Sequence, residues 1–353
     1  LLFLSSPCYK SYVGNKIAVF SMQSLGCDVA ALNTVQFSNH TGYRQWTGTR
    51  VSAQEITDLY QGLKQSYLDD FDMMLSGYVP GAPALEAVGQ IAQELRAKAE
   101  GDPGSFFWVL DPVMGDNGTL YVAQDVVPVY KSLLSHADLI LPNQFEAELL
   151  SGVEIVDMAS LSRAIEVMHE QYGVPHIVIT SVSLTHPDHP ISSLSVVGST
   201  MTSDRRARAF KIVFPAIDCY FSGTGDMFAA LMVVRMREAV WKTAAGLMST
   251  PSWRSDDTVD ALDLPLARAA EKVLASMHEV LAKTSEAMDA KMKRVPAEVL
   301  RGAGKEGHEA EDKTLHLLKS KAAELRLVRH VDSLRFPKIE FRASRMDVKG
   351  AAI

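Results

Sequence analysis

Residues 106–110, Phe106-Phe107-Trp108-Val109-Leu110, form an unbroken apolar run that stops at Asp111-Pro112. Consecutive large apolar residues with no polar alternation suit a strand covered on both faces, as in a parallel sheet sandwiched between helices. Pro112 cannot donate to a ladder, so it ends the strand and leaves Asp111 at the carboxyl end. Ligands of open parallel sheets bind beyond such ends. Asp111 is therefore a candidate site residue as well as a residue that caps a turn.

The pattern on either side repeats this unit. Before it come a strand over Leu1 to Leu4, a helix over Asn15 to Leu25 and a strand over Val29 to Val35. A helix from Ala53 to Tyr67 follows, with Ser52 and Glu55 spaced as a capping box, then a strand over Asp72 to Ser76 and a helix over Ala82 to Lys98. After it come a helix over Gln124 to Ser135, the strand Leu139-Ile140-Leu141, a helix near Leu161 to Tyr172 and the strand His176-Ile177-Val178-Ile179. Strand alternating with helix this often means a parallel sheet with both faces covered. Ser193 to Gly198 and Ala207 to Phe214 flank the polar turn Ser203-Asp204-Arg205-Arg206 and read as an antiparallel extension.

Towards the C-terminus, a helix runs from the glycine-rich turn at 223–226 to about Leu247, and Thr250 to Leu264 reads as a surface loop. Leu266, Ala270, Val273, Met277 and Val280 share a helical face that should be core. Charge thickens from Ser285 to Asp312, which reads as a flexible insertion. A helix over Leu315 to Leu327 and a last strand at Ile339 to Phe341 are expected. Gly302-Ala303-Gly304-Lys305 lacks the upstream glycine and preceding strand of a P-loop and reads as linker. The expectation is one α/β domain over residues 1–353 with insertions at 250–264 and 285–312.

Composition narrows the function. With 47% hydrophobic and 22% charged residues, the chain should bury a substantial core. A net charge of -7 and the lack of a Lys/Arg block argue against nucleic acid as the main partner. Leu1-Leu2-Phe3-Leu4 is too short to span a membrane. Cys8, Cys27 and Cys219 form no CxxC and no Cys/His cluster, which fits reduced thiols in a cytoplasmic setting. No dinucleotide-type G-x-G-x-x-G follows an early strand, which weakens an oxidoreductase reading.

Gly223-Thr224-Gly225-Asp226 leads directly into the apolar residues Phe228, Leu231 and Met232 at helical spacing. First-turn amides lack intrahelical partners and the helix dipole is positive there, so a phosphate can be held without lysine. Asp226 would repel that phosphate unless it has another task. Either it accepts a proton from an attacking hydroxyl, or it only complements the helix dipole. Asp111, Asn143, Glu146, Thr180 and Ser181 stand at strand ends or just beyond. Separately, Asn143 and Glu146 make a capping box; together with Asp111 they could hold a magnesium ion on phosphates. The residues alone thus point to phosphoryl transfer or phosphate binding.

Several stretches together resemble the pyridoxal kinases of the ribokinase-like superfamily. They are Tyr12-Val13-Gly14-Asn15, Val35-Gln36-Phe37-Ser38-Asn39-His40-Thr41-Gly42-Tyr43, Ser76-Gly77-Tyr78, Asp111-Pro112-Val113-Met114-Gly115-Asp116, Asn143 to Gly152, Ile179-Thr180-Ser181 and Gly223 to Asp226. The 223–226 turn marks the superfamily, and the 37–43 stretch narrows it to pyridoxal kinase. The resemblance implies ATP-dependent phosphorylation of the 5′-hydroxymethyl group of pyridoxal, pyridoxine and pyridoxamine. Asp226 would be the base and the amides of Gly223, Thr224 and Gly225 the anion hole. Asp111, Asp116, Tyr121, Asn143, Thr180 and Ser181 match nucleotide-binding positions. Asp111 and Glu146 match the surroundings of a divalent ion such as Mg2+, assisted by a monovalent ion such as K+. Ser6, Val13, Phe37, Thr41 and Tyr78 match the ring pocket. A homodimer in the cytoplasm is also implied.

The chain departs from this pattern at Ser5-Ser6-Pro7-Cys8-Tyr9-Lys10-Ser11, where relatives carry Gln-Ser-His and a glycine, and only Ser6 matches. Leu141 stands where relatives often carry Thr. Two rivals remain: a hydroxymethylpyrimidine kinase of the same superfamily, and a weakly catalytic homologue that binds pyridoxal or nucleotide.

Overall fold

The computed structural model describes residues 1–6, 8–184, 192–244, 246–295 and 309–346. The strands are β1 (Leu2–Ser5), β2 (Ala30–Asn33), β3 (Val35–Phe37), β4 (Gly48–Arg50), β5 (Met73–Ser76), β6 (Phe107–Leu110), β7 (Gly115–Asp116) and β8 (Thr119–Leu120). They continue with β9 (Leu139–Ile140), β10 (His176–Val182), β11 (Ser193–Met201), β12 (Ala207–Pro215) and β13 (Ser344–Arg345). The helices are α1 (Asn15–Ser24), α2 (Ala53–Gln65), α3 (Ala82–Lys98), α4 (Val126–Leu133) and α5 (Gln144–Ser151). Then come α6 (Met158–Glu170), α7 (Thr224–Thr243), α8 (Pro265–Met292), α9 (Glu309–Ala322) and α10 (Val331–Arg335).

Successive residues of the central strands point to opposite sides of one sheet. Leu2, Leu4, Met74, Trp108, Leu110 and Ile140 join the buried cluster beneath α2 to α6. Phe3, Met73, Leu75, Phe107, Val109 and Leu139 join the cluster under α1, α7 and α8. This is why residues 106–110 are apolar without a break: both faces of β6 are covered. Among the described residues the sheet has nine strands in the order β13-β12-β11-β10-β9-β6-β5-β1-β2. The strands from β2 to β10 pair in parallel, whereas β10-β11-β12-β13 pair antiparallel. The fold is therefore a mostly parallel sheet between two helical layers, with a small antiparallel extension.

Register decides where the polar ends fall. Leu4 pairs with Ser76, Ser76 with Leu110, Leu110 with Ile140, and Ile140 with Ile177. Ser5, Gly77, Asp111, Asn143 and Thr180 consequently emerge along one edge of the sheet.

Four expectations are corrected. The surface loop at 250–264 is docked at the other edge: Trp253 is 2% exposed and stacks on Phe107 with centroids 4.1 Å apart at 14°. Its indole N–H donates to the Gly104 carbonyl at 2.8 Å, and Arg208 donates to the carbonyl oxygens of Ser255 and Asp256. The expected insertion at 285–312 begins instead as the last turns of α8, which runs to Met292 because Val280 and Thr284 still bury one face; residues 296–308, with the Gly302 to Lys305 linker, lie outside the described residues. The helix after the 223–226 turn stops at Thr243 rather than Leu247. The last strand is Ser344–Arg345, not Ile339 to Phe341, held where Arg345 pairs with Asp260. Among the described residues no helix is long and apolar enough to cross a membrane.

Candidate active site

A cleft of about 680 Å³ opens along the edge where the parallel strands end. One wall is the start of α7. Gly223 caps that helix in the left-handed region, φ 83° and ψ 10°, where L side chains are strained. A Cβ there would stand 2.4 Å from the Tyr12 carbonyl oxygen, so the turn can press against the 12–14 segment only as glycine. A Cβ at Gly225 would meet nothing within 4 Å, and the helix start has no side-chain cap. Thr224 opens the helix beside them, and all three residues line the cleft.

Asp226, in the first turn of α7, is half-buried. Its carboxyl is pushed up to about 6 by burial, against the pull of the Gly14 N–H. It faces the ends of β1 and β5: a Cβ at Gly77 would lie 2.9 Å from Ser5 Oγ and 3.9 Å from Asp226 Oδ1.

The ring-pocket candidates lie on one side of Asp226. Val13 and Phe37 join Cys8 and Val35 in a small apolar cluster against which Tyr78 packs. Ser6 and Thr41 flank it on the cleft wall. Pro7, within the stretch that departs from the family pattern, lies outside the described residues. Trp46 extends the aromatic wall, 4.3 Å from Phe37 between centroids and tilted 36°. Burial pushes the Tyr78 hydroxyl up, and the nearby Arg50 cation opposes it.

The strand-end candidates lie on the other side. Asp111 is buried and has no side-chain hydrogen bond with any described residue. Burial holds its carboxyl well above the usual range, and Glu146 and Asp226 add to the shift. Glu146 is also buried, and burial raises it to about 7 despite three backbone donors. Its Oε1 accepts from Met114 N–H at 2.8 Å and Gly115 N–H at 3.3 Å, and its Oε2 accepts from Asn143 N–H at 2.9 Å. Asn143 returns the capping bond to Glu146 N–H at 2.9 Å and donates to the Gly115 carbonyl at 2.7 Å. These two side chains thus shape the β6–β7 turn, and that turn leads to Asp116 and Tyr121 on the rim.

Thr180 and Ser181 reach the cleft through a register shift between Ile179 and Val182 in the β10–β11 pair. Ser181 takes φ 54° at this irregularity. Bulges of this kind re-aim side chains beside active sites. The Thr180 amide still bonds the Pro142 carbonyl at 2.9 Å, which fixes the bulge to the Asn143 turn.

All sixteen candidate residues therefore line one cleft. Reading from sequence passed over others on its walls: His40, Trp46, Arg50, Tyr220, Phe221 and Phe228. An exposed tryptophan in a short loop, at Trp46, was the readable signal; the remainder come together only through the fold. A second concavity of about 800 Å³ lies between the C-terminal halves of α1 and α7, lined by Ser24, Arg237 and Trp241. It gathers no strand-end carboxylate and no glycine turn. Among the described residues no group of three or more His, Cys, Asp or Glu forms a ready metal cage.

Residues 84–243 match the family model described as phosphomethylpyrimidine kinase. A putative pyridoxal kinase of Schizosaccharomyces pombe is 37% identical over 290 residues, covering 82% of this chain and 86% of the relative. The chain belongs to the pyridoxal kinase family. The human pyridoxal kinase is 39% identical over 245 residues, covering 66% of this chain and 76% of the relative. Among solved structures, pyridoxal kinase from Leishmania donovani in complex with ADP and pyridoxamine superposes with a TM-score of 0.75 at 29% identity, covering 98% of this chain and 99% of that one. The fold is thus that of ribokinase-like pyridoxal kinases. The Phe37 to Tyr43 stretch, on which the narrower resemblance to pyridoxal kinases rests, lies outside the 84–243 match.

Proposed function

We propose that this chain, as a single domain, is an ATP-dependent pyridoxal kinase that phosphorylates the 5′-hydroxymethyl group of pyridoxal, pyridoxine and pyridoxamine. The observation that carries the reading is the position of Asp226. It stands between an apolar, aromatic ring pocket and a carboxylate-bearing strand edge, at a helix start with no side-chain cap.

The acceptor ring lies against Phe37, Val13 and Tyr78, with Ser6 and Thr41 bonding its polar substituents. Asp226, raised to about 6 by burial, is mostly ionised near neutral pH yet basic enough to take the hydroxyl proton. The freed oxygen attacks the γ-phosphorus of ATP, and the bond to the departing ADP oxygen breaks. Charge on the transferring group falls against the amides of Gly223, Thr224 and Gly225. Asp116, Tyr121, Asn143, Thr180 and Ser181 border the nucleotide phosphates.

The strand edge suits a divalent cation such as Mg2+. Asp111 and Glu146 are two buried carboxylates; Glu146 adds to the charge cost of Asp111, and Asp111 has no protein donor among the described residues. Asp111 is the better direct ligand, because both Glu146 oxygens already accept amide bonds. When bound, the cation neutralises phosphate charge as the phosphoryl group moves. A monovalent ion such as K+, a homodimer and a cytoplasmic location, implied by the resemblance, complete the reading.

The rival reading, a hydroxymethylpyrimidine kinase, is favoured by the family model over 84–243. Incubation with pyridoxal and ATP, with and without excess chelator, tests the proposal. Formation of pyridoxal 5′-phosphate that stops on chelation supports it. Turnover that persists in chelator rejects the cation role, and no turnover at any divalent concentration rejects the kinase.

A further inference from the structure

Two loops form the acceptor side of the cleft. Residues 8–13 carry Cys8 and Val13, and residues 38–47, between β3 and β4, carry His40, Thr41, Gly42 and Trp46. They are joined to each other: Lys10 N–H donates to the Ser38 carbonyl at 3.3 Å, and His40 N–H donates to Ser11 Oγ at 3.4 Å.

A single carboxylate from the far end of the chain bridges their seam. Glu324 Oε2 accepts from the Tyr12 N–H at 3.1 Å, and Oε1 accepts from the Tyr43 hydroxyl at 2.9 Å. His40 Nε2 lies 3.7 Å from the same Oε1. Burial lowers the basicity of His40, with Glu324 opposing and His316 reinforcing that shift, so the firm contacts are those to Tyr12 and Tyr43. Eight residues upstream in α9, His316 Nε2 lies 2.8 Å from the Gly42 carbonyl.

The tie continues to the catalytic turn. The carbonyl of the same Tyr12 is the group that a Cβ at Gly223 would meet at 2.4 Å. On the other loop, a Cβ at Gly42 would lie 3.5 Å from Ser222 Oγ. Glu324 therefore fixes, through one residue on each loop, how far the acceptor walls stand from the anion turn.

We infer that Glu324 is a positioning residue for the acceptor: among the described residues its bonds go to the acceptor loops, and it sets the spacing of the ring pocket against the Gly223 turn. The ring pocket then exists before substrate arrives, so binding does not have to order two loops. A hydrogen bond to a charged group carries enough energy that its loss should weaken binding about tenfold or more.

This inference rests on the kinase reading, and the experiment separates the two. Pyridoxal and ADP affinities are measured by calorimetry, beside steady-state kinetics with each substrate varied, for wild type, Glu324→Ala, Glu324→Gln and His316→Ala. Glu324→Ala should raise the pyridoxal Kd and KM about tenfold or more while the ADP Kd and ATP KM change less than about twofold. Glu324→Gln, which keeps an acceptor oxygen, should fall between, and His316→Ala should shift the same constants less. An unchanged pyridoxal affinity, or equal weakening of both substrates, overturns the inference. If Glu324→Ala does not fold, the isosteric Glu324→Gln decides on the same constants. Wild-type protein that binds pyridoxal tightly without turnover refutes the kinase reading alone, and wild-type protein that does not bind pyridoxal refutes both.

Discussion

The carbonyl of Tyr12 lies so close to Gly223 that a Cβ at position 223 would stand 2.4 Å from its oxygen. The acceptor loop and the anion turn thus touch backbone to backbone. Gly223→Ala adds that clash to a backbone held at φ 83°. Turnover should fall about a hundredfold, the usual cost of displacing reacting groups by about an ångström. Steady-state assays at saturating ATP and pyridoxal measure it.

Asp226→Ala should lower kcat by about 10²–10⁴-fold, as expected for a positioned general base, with little change in ADP affinity. A near-normal kcat would remove Asp226 from that role.

The pH dependence carries two opposite signs. With Asp226 as the proposed base, kcat/KM for pyridoxal should rise along a limb with its midpoint near about 6, and Asp226→Ala should flatten that limb. Stability runs the other way. Folded Asp226 and Glu146 hold protons more tightly than in the unfolded chain. Their contribution is fully present below the unfolded values and is lost as pH rises through about 6 and about 7. Thermal melting of the ligand-free protein from acid to neutral pH should show this decline, and added Mg2+ should lessen it.

Asp111→Asn removes a buried carboxyl group that has no protein donor among the described residues. The ligand-free variant should melt a few degrees higher than wild type near neutral pH, yet need more Mg2+ for half-maximal activity. Scanning calorimetry and a magnesium titration check both halves.

Much of this was legible because it is local. The unbroken run at 106–110 marked a strand covered on both faces, and the capping boxes of Ser52 with Glu55 and Asn143 with Glu146 are present as spaced. Val29 to Val35, expected as one strand, is two: Thr34 is buried between β2 and β3 and donates to the Tyr78 carbonyl at 2.7 Å. The β7–β8 hairpin had a readable Asn117-Gly118 signal, with φ of 49° and 75°. Trp253 could not be placed from sequence, because its partner Phe107 is distant in the chain and the surrounding residues are turn formers. Glu324 was equally hidden, since its bonds to Tyr43 and Tyr12 span 281 and 312 residues.

The central claim, that the cleft is built for pyridoxal rather than for another small alcohol, is tested most directly by the kcat/KM ratio for pyridoxal over hydroxymethylpyrimidine with ATP. The account predicts a ratio well above one, with formation of pyridoxal 5′-phosphate matched by ADP. A ratio below one, or turnover of neither acceptor, would contradict it.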